Sequence, residues 1–268
     1  MLDTLGERAQ VLPAGRGMPV AGTADNRTIE LLWRPHPAPA PSTRPALSLP
    51  AIASAAIAIA DADGLGAVSM QRVAGDLGYT KMALYRYVAS KAELIAVMIE
   101  NAVGDPPELA SIPGGWRPRL QEWARQLRAT WQRHPWLPWA TRGDRLMGPH
   151  EIGWTECAVA ALADTRLSGA EQIDTVFLLS GHIRNTHSTA AVGTQPWTAE
   201  RQLDPRLAKL LHEDHDRFPA LIAATDGAAV AADSTWEFGL RCLLDSIELL
   251  IAKRAARRPA VARHQGQP

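Results

Sequence analysis

Four closely spaced helix starts, each with its own capping residue, constrain the fold of this 268-residue chain more than any other feature. Ser48, Ser69, Thr80 and Ser90 each precede a run of apolar residues at helical spacing, and each can accept a hydrogen bond from a first-turn backbone N–H. Gly78 separates the second helix from the third and can supply the positive φ of a tight turn. Two short helices joined in this way predict a helix-turn-helix, whose second helix enters the major groove of DNA.

An αα-hairpin inside a larger helical bundle is the alternative interpretation of the same pattern. Residues 81–87 argue against it, because a lysine, an arginine and two tyrosines stand within seven consecutive positions. A purely structural helix rarely places such side chains together while burying so little. Amines and phenol hydroxyls suit the phosphate oxygens that dominate protein–DNA contacts. The pattern therefore favours DNA binding.

Residues 48–100 resemble the DNA-binding domain of the TetR family of transcriptional regulators in order and spacing, without a gap. The resemblance is carried by the runs Asp61-Ala62-Asp63-Gly64-Leu65, Val68-Ser69-Met70-Gln71-Arg72-Val73-Ala74, Leu77-Gly78, Ala83-Leu84-Tyr85-Arg86-Tyr87-Val88 and Ser90-Lys91-Ala92-Glu93-Leu94. By position, it implies that five residues read or flank bases: Gln71, Thr80, Lys81, Met82 and Ala83. It also implies phosphate contacts by Tyr85, Tyr87 and Lys91, and a fourth helix, residues 90–103, that links this reading head to a ligand domain.

The rest of the chain predicts helices only, since no strand-like alternation of any length competes with the helical spacing. The expected fold class is all-α, with a three-helix helix-turn-helix DNA-binding domain at residues 48–104 and a larger ligand-binding and dimerisation domain at 105–258. Residues 236–251 resemble the last helix of the tetracycline-repressor-like subgroup, where this helix and an earlier one form a homodimer interface. Candidates for that interface, or for the core, are Phe238, Cys242, Asp245 and Leu249. A homodimer is also expected because one helix-turn-helix contacts a single half-site.

Nine tryptophans against three phenylalanines predict a pocket for a small apolar or aromatic effector. The candidates are Trp123, Trp131, Trp139 and Trp154, for which core packing is the alternative. Four polar side chains form one stripe on a predicted helix: His182, Asn185, Thr186 and Thr189. This stripe is either pocket lining or a buried seam whose polar groups are all hydrogen-bonded.

The two ends of the chain are expected to lack regular structure. Alternating Pro and Ala between residues 35 and 45 cannot form a helix, and residues 1–47 are interpreted as a flexible Pro- and Gly-rich arm. The apolar island at residues 31–33 is expected to dock onto the body of the protein. Basic residues of the arm either reach an adjacent DNA groove or belong to a disordered segment. Residues 259–268 are predicted to be a disordered tail.

Composition and motifs limit the function classes. The chain shows no signal-peptide pattern, and no stretch approaches the ~20 apolar residues of a membrane helix, so a cytoplasmic protein without a membrane partner is expected. It has no phosphate-binding loop, GxSxG motif or metal-ligand spacing, so neither an enzyme nor a cofactor or metal is expected. The expected function is a repressor that its effector releases from double-stranded operator DNA by a population shift, with residues 90–103 as the lever. A DNA-binding protein without ligand control is the first alternative, and an all-helical enzyme is the second.

Overall fold

The computed structural model describes residues 23–34, 47–191, 205–225 and 232–256, and all of the regular structure within them is helical. The helices are α1 (Thr23–Trp33), α2 (Leu49–Asp63), α3 (Met70–Asp76), α4 (Lys81–Tyr85), α5 (Lys91–Val103), α6 (Trp116–Arg133), α7 (Leu137–Ala140), α8 (Pro149–Ala161), α9 (Gly169–Ala191), α10 (Pro205–Glu213), α11 (Pro219–Thr225) and α12 (Ala232–Ala256), with a 3-10 turn at Leu65–Ala67. The all-α prediction is confirmed.

Helices α2, α3 and α4 form the predicted helix-turn-helix around one small core. Each begins at its predicted cap, because the hydroxyls of Ser48, Ser69 and Thr80 accept hydrogen bonds from the backbone N–H three residues later, at 3.3, 3.2 and 3.3 Å. Gly78 has a φ of 71°, the left-handed conformation that the turn requires. The side chains where these helices meet are buried: Ile52, Ala56, Val73, Ala74 and Leu84.

Helix α5 joins this reading head to the rest of the protein, since it packs against both α2 and α8. At its start, the Ser90 hydroxyl accepts from the Glu93 N–H at 3.1 Å, and the Glu93 carboxylate accepts from the Ala89 N–H at 2.6 Å. These two bonds form a variant of the capping box in which Ala89, rather than Ser90, is the second donor. These bonds fix the turn between the recognition helix α4 and α5.

Helix α1 corrects the expectation that residues 1–47 form an arm without regular structure. Residues 23–33 form a helix that packs against α5. This stretch contains neither proline nor glycine, and the Pro-Ala alternation that excludes a helix starts only at Pro35. Leu32 is buried, so the apolar island docks through this side chain. Residues 1–22, residues 35–46 and the predicted tail at 259–268 lie outside the described residues.

Helices α6, α8, α9 and α12 build the second domain. Helix α6 packs against α8 and α9, and α9 packs against α12. Their shared core contains large aliphatic side chains and four tryptophans, namely Leu120, Trp123, Trp131, Trp154, Leu179, Ile183, Trp236 and Leu244. Across the described ranges, none of the helices combines the length and the apolar character needed to span a bilayer.

Candidate DNA-binding, ligand-binding and dimer surfaces

The recognition helix α4 is held by a single buried side chain. Leu84 is the one buried residue among its five, and Lys81 and Met82 at its start are exposed. Most of the predicted DNA-binding residues are exposed here or beside it: Gln71, Thr80, Lys81, Met82 and Lys91. Met82 is 71% exposed, which leaves its side chain available for an apolar contact with a base edge.

Ala83 and the two predicted phosphate-binding tyrosines are half-buried. The Lys81 Nζ lies 5.5 Å from the centroid of the Tyr85 ring, so the ammonium and the phenol form one group at the edge of α4. Tyr87 donates its hydroxyl proton to the carbonyl oxygen of Leu47 at 2.7 Å. The predicted phosphate contact of Tyr87 therefore requires that this bond be exchanged.

Arg86 is a further candidate for DNA contact that the sequence-based set omitted. It is exposed and forms the C-cap of α4. Together with Tyr87 and Leu49 it lines a cleft of about 290 Å³, whose other wall includes Arg27 and Glu30 of α1. The run at residues 85–87, where a basic side chain stands between two tyrosines, is the signal that could have identified it.

Trp123 and Trp154 lie in the core of the second domain, with ring centroids 6.5 Å apart and 59° between the ring planes. The Trp123 Nε1 donates to the backbone oxygen of Trp154 at 2.8 Å, and the Trp154 Nε1 donates to that of Gly104 at 3.1 Å. Because backbone oxygens satisfy both indole N–H groups, this arrangement supports core packing, the alternative interpretation of these two residues. The Trp154 bond also ties α8 to the residue that ends α5.

A second group of aromatic and cationic side chains joins α6, α9 and α12. His182 stacks on Trp236, with ring centroids 5.2 Å apart and 12° between the planes, and its Nε2 lies 3.0 Å from the Trp236 backbone oxygen. The Arg128 guanidinium lies 5.1 Å from the centroid of the same indole. Trp131, also on α6, contacts His187 edge-on at 6.5 Å. Two of the predicted ligand residues, Trp131 and His182, thus lie along the contact between α6 and α9.

His187 is a candidate that the sequence-based set did not include. Burial lowers the pKa of His187, against a smaller opposing effect of its hydrogen bond to the Pro135 backbone, so the imidazole is neutral at neutral pH. Its Nε2 is buried and has no hydrogen-bond partner within the part of the chain that the structure describes. Since the other ring nitrogen donates to the Pro135 carbonyl, Nε2 is an acceptor that a ligand hydroxyl could satisfy.

The remaining predicted ligand residues have different surroundings. Trp139 is exposed on α7 and contacts the Arg142 guanidinium at 4.4 Å. Asn185 is exposed. The Thr186 hydroxyl donates to the backbone oxygen of His182 at 2.8 Å, which is what the alternative of a seam with all polar groups hydrogen-bonded predicts for this residue. The side chain of Thr189 lies outside the described residues. The pocket role of this stripe stays a prediction.

Helices α9 and α12 pack together and expose large apolar side chains, which we call the α9–α12 face: Ile173, Phe177, Leu178, Phe238 and Leu249. Phe177 is 67% exposed and Phe238 is 60% exposed. The two residues on α12 are among the interface candidates that the sequence predicts, whereas the three on α9 are not. Apolar residues four apart at 173 and 177 on a predicted helix are the signal that could have found them.

The polar candidates for the interface lie on the same helix, α12. Cys242 is exposed. Asp245 forms an ion pair with Arg117 of α6, and the second arm of that guanidinium bonds Glu248 at 2.8 Å. Asp245 therefore also connects α12 to α6 within one protomer.

Two family models match successive parts of the chain. The model described as "Bacterial regulatory proteins, tetR family" matches residues 46–98, and the one described as "Tetracyclin repressor-like, C-terminal domain" matches residues 110–251. The chain belongs to the TetR family. This confirms the resemblance seen in the helix-turn-helix and in the last helix. Helix α1 of this TetR-family protein precedes both matched segments.

Individual relatives agree with this assignment. The HTH-type transcriptional repressor DrrR1 of Streptomyces coeruleorubidus is 30% identical over 240 residues, which cover 85% of this chain and 87% of the relative. Among solved structures, ActR of Streptomyces coelicolor in complex with actinorhodin is similar with a TM-score of 0.64 and 23% identity, over 77% of this chain and 99% of that chain. TetR of Acinetobacter baumannii is similar with a TM-score of 0.51 and 19% identity, over 77% of this chain and 99% of that chain. The two structures share the fold of this TetR-family protein.

Proposed function

We propose that this TetR-family protein is a homodimeric repressor whose two recognition helices bind operator DNA, and that a small apolar or aromatic molecule releases it. The observation that carries the proposal is α4, a helix of five residues with one buried anchor. Its first residues, Lys81 and Met82, are exposed at the end that enters a major groove. The relative DrrR1 bears the name of a transcriptional repressor, which supports the same role. A protein with this role acts in the cytoplasm, beside the chromosome.

The α9–α12 face supports the homodimer. Single exposed apolar residues are common on monomers, but five large ones on two adjacent helices form a patch of the kind that marks an interface. A second copy placed on this patch would cover it in a two-fold arrangement, where each residue contributes twice. Two reading heads can then contact two half-sites of one operator.

We place the effector along the contact between α6 and α9. Trp131 offers an aromatic surface there, Arg128 is the nearby cation, and the neutral His187 offers an unpaired acceptor nitrogen. Such a set suits an aromatic molecule with a hydroxyl group that can donate to this nitrogen. ActR has been solved with actinorhodin bound, which supports a small-molecule effector for this fold.

Helix α5 would carry the signal from the effector to the reading head. Besides the Trp154–Gly104 bond, the Glu100 carboxylate of α5 accepts from the His150 N–H at the start of α8 at 2.7 Å. Movement of α8 is thereby transmitted to α5. To shift the heads from 99% in register to 99% out of register, the effector must bind the second state more tightly by about 5.5 kcal/mol.

Operator binding is tested by enriching genomic fragments with the full-length protein and measuring fluorescence anisotropy of the enriched duplex at two salt concentrations. We expect a steep salt dependence, and Lys91→Ala should reduce its slope by about 2, because the homodimer loses one phosphate contact in each protomer. Lys209→Ala is the matched control, since Lys209 is an exposed lysine of α10. A wild-type protein that enriches no fragment, or that binds all fragments equally, contradicts the proposal.

Effector control is tested by screening aromatic compounds for quenching of tryptophan fluorescence and then adding each binder to the protein–DNA complex. We expect a binder that weakens operator affinity, and His187→Phe should weaken its binding because the acceptor nitrogen is removed. Phe218→Ala, at an aromatic position of the α10–α11 junction, is the control for binding. A protein that binds one DNA sequence but whose affinity no binder changes is a DNA-binding protein without ligand control.

A further inference from the structure

Helix α1 lies outside the segments that the family models match, and it contacts both parts of the molecule. It packs along α5, and its buried Leu32 holds it against the core. Arg27, in its second turn, and Trp33, at its end, make polar contacts with different domains. These contacts give α1 a position from which it can influence the angle between the domains.

In the second turn of α1, Arg27 is bound to the reading head. Its Nε lies 3.2 Å from one oxygen of Glu93 and 3.3 Å from the other, and the Glu93 side chain is 5% exposed. The same carboxylate accepts from the Ala89 N–H at 2.6 Å. Arg27 therefore stabilises the carboxylate that fixes the turn between α4 and α5.

At the end of α1, Trp33 is bound to the ligand domain. Its Nε1 donates to the backbone oxygen of Met147 at 3.1 Å. Met147 stands two residues before the start of α8, next to Gly148, whose surroundings are filled by the Glu100 carboxylate of α5. The Trp33 contact therefore lies where α8 meets α5.

We infer that α1 is a strap that holds the reading head at a fixed angle to the ligand domain, with Arg27 and Trp33 as positioning residues for operator binding. Rotation of α5 against α8 changes the distance between Glu93 and Met147. Arg27 and Trp33 are six residues apart, which is about 9 Å along a helix that cannot stretch, so one of the two contacts must break. While both contacts hold, the head is restricted to one orientation.

A head released from the strap samples more orientations, and the fraction that is competent to bind DNA falls. The apparent dissociation constant rises by the inverse of that fraction. A strap also requires both of its ends, so losing the second contact after the first should have no further effect. This non-additivity separates a strap from two independent local contacts.

The test compares Arg27→Gln, Trp33→Phe and the double variant, in the full-length protein, by anisotropy on the duplex that the wild-type protein enriches. Trp33→Phe removes the N–H donor but keeps an aromatic ring. We expect each single variant to weaken operator binding about three- to tenfold. The double variant should bind the operator with the same affinity as the single variant that binds it less tightly. Arg27→Lys keeps the ion pair and should restore most of the affinity. Thermal unfolding of each variant should stay close to that of the wild type.

Arg34→Gln is the matched control, because it removes the same charge one residue after the end of α1 while breaking only the exposed ion pair with Glu30. We expect it to change operator affinity less than twofold. The strap is refuted if the losses of operator affinity add in the double variant. It is also refuted if the Arg27 and Trp33 variants bind the operator as tightly as Arg34→Gln does. The inference rests on the proposed function: a wild-type protein that binds no DNA refutes the repressor, whereas normal binding by Trp33→Phe refutes only the strap.

Discussion

Replacing Phe177 with alanine should separate the proposed dimer into monomers at concentrations where the wild-type protein is dimeric. Phe177 lies on α9, and 67% of its surface is exposed in the single chain. It is the most exposed large side chain of the α9–α12 face. If a second copy covers this face, the phenyl ring is among the groups that gain most from association.

The size of the effect follows from the exposed area. A phenylalanine buries about 150–250 Å² when fully covered, so an exposed fraction of 67% leaves about 100–170 Å² for a partner. At roughly 25 cal/mol per Å², this corresponds to about 2.5–4 kcal/mol. The alanine side chain still buries a part of that area, and burial at an interface contributes less than the full transfer free energy. We therefore expect each Phe177→Ala substitution to cost about 2 kcal/mol of association free energy. Two-fold symmetry doubles the loss to about 4 kcal/mol, a roughly 10³-fold increase in the dimer dissociation constant.

Sedimentation equilibrium over a range of protein concentrations measures this constant directly. Phe218→Ala is the matched control, because it removes the same side chain at the junction of α10 and α11, outside α9 and α12. We expect the control to dimerise as the wild type does. Phe177→Ala with an unchanged monomer–dimer equilibrium would refute the assignment of the α9–α12 face as the interface.

Three further predictions concern single sites. Leu84→Ala should cost about 2–5 kcal/mol of stability in the reading head and abolish operator binding, since α4 has no other buried anchor; thermal unfolding and anisotropy measure the two effects. Gly148→Ala should lower the unfolding temperature, because the new Cβ would overlap the buried Glu100 carboxylate and displace it from the start of α8. In a Cys242→Ser background, Cys157 should react slowly with a thiol reagent at pH 8, because burial raises the pKa of Cys157 to about 11. The reaction rate should rise about tenfold per pH unit above pH 8, as the thiolate fraction increases. Fast labelling at pH 8 would show that this thiol is not buried.

The reading head was predictable because its signals are local. Caps at Ser69 and Thr80, a glycine at the turn and apolar residues at helical spacing all act within a few positions of one another, and the structure places each as expected. The same holds for the exposure of Lys81 and Met82. The hydrogen bond from Tyr87 to Leu47 joins residues 40 positions apart, and no local sequence pattern predicts it.

The ligand domain was less predictable because a tryptophan has two uses that composition does not distinguish. Whether an indole lines a pocket or fills a core depends on which groups face it from other helices. Trp123 and Trp154 contact each other and donate to two backbone oxygens, whereas Trp131 contacts a histidine of α9. The packing of α1 was missed for a related reason, since its partners Glu93 and Met147 lie far along the chain.

In the proposed repressor, helix α9 would link effector binding to dimerisation, because one of its sides carries the proposed effector site and the other belongs to the α9–α12 face. His182 and His187 lie against aromatic residues of α12 and α6, while Phe177 and Leu178 are exposed. In a dimer, α9 and α12 would be held by the partner, so an effector that enters between α6 and α9 must displace α6 and the attached α8 instead. That displacement reaches the reading head through α5. Loss of the dimer should therefore weaken both operator affinity and the response to the effector, since α9 would no longer resist the incoming molecule.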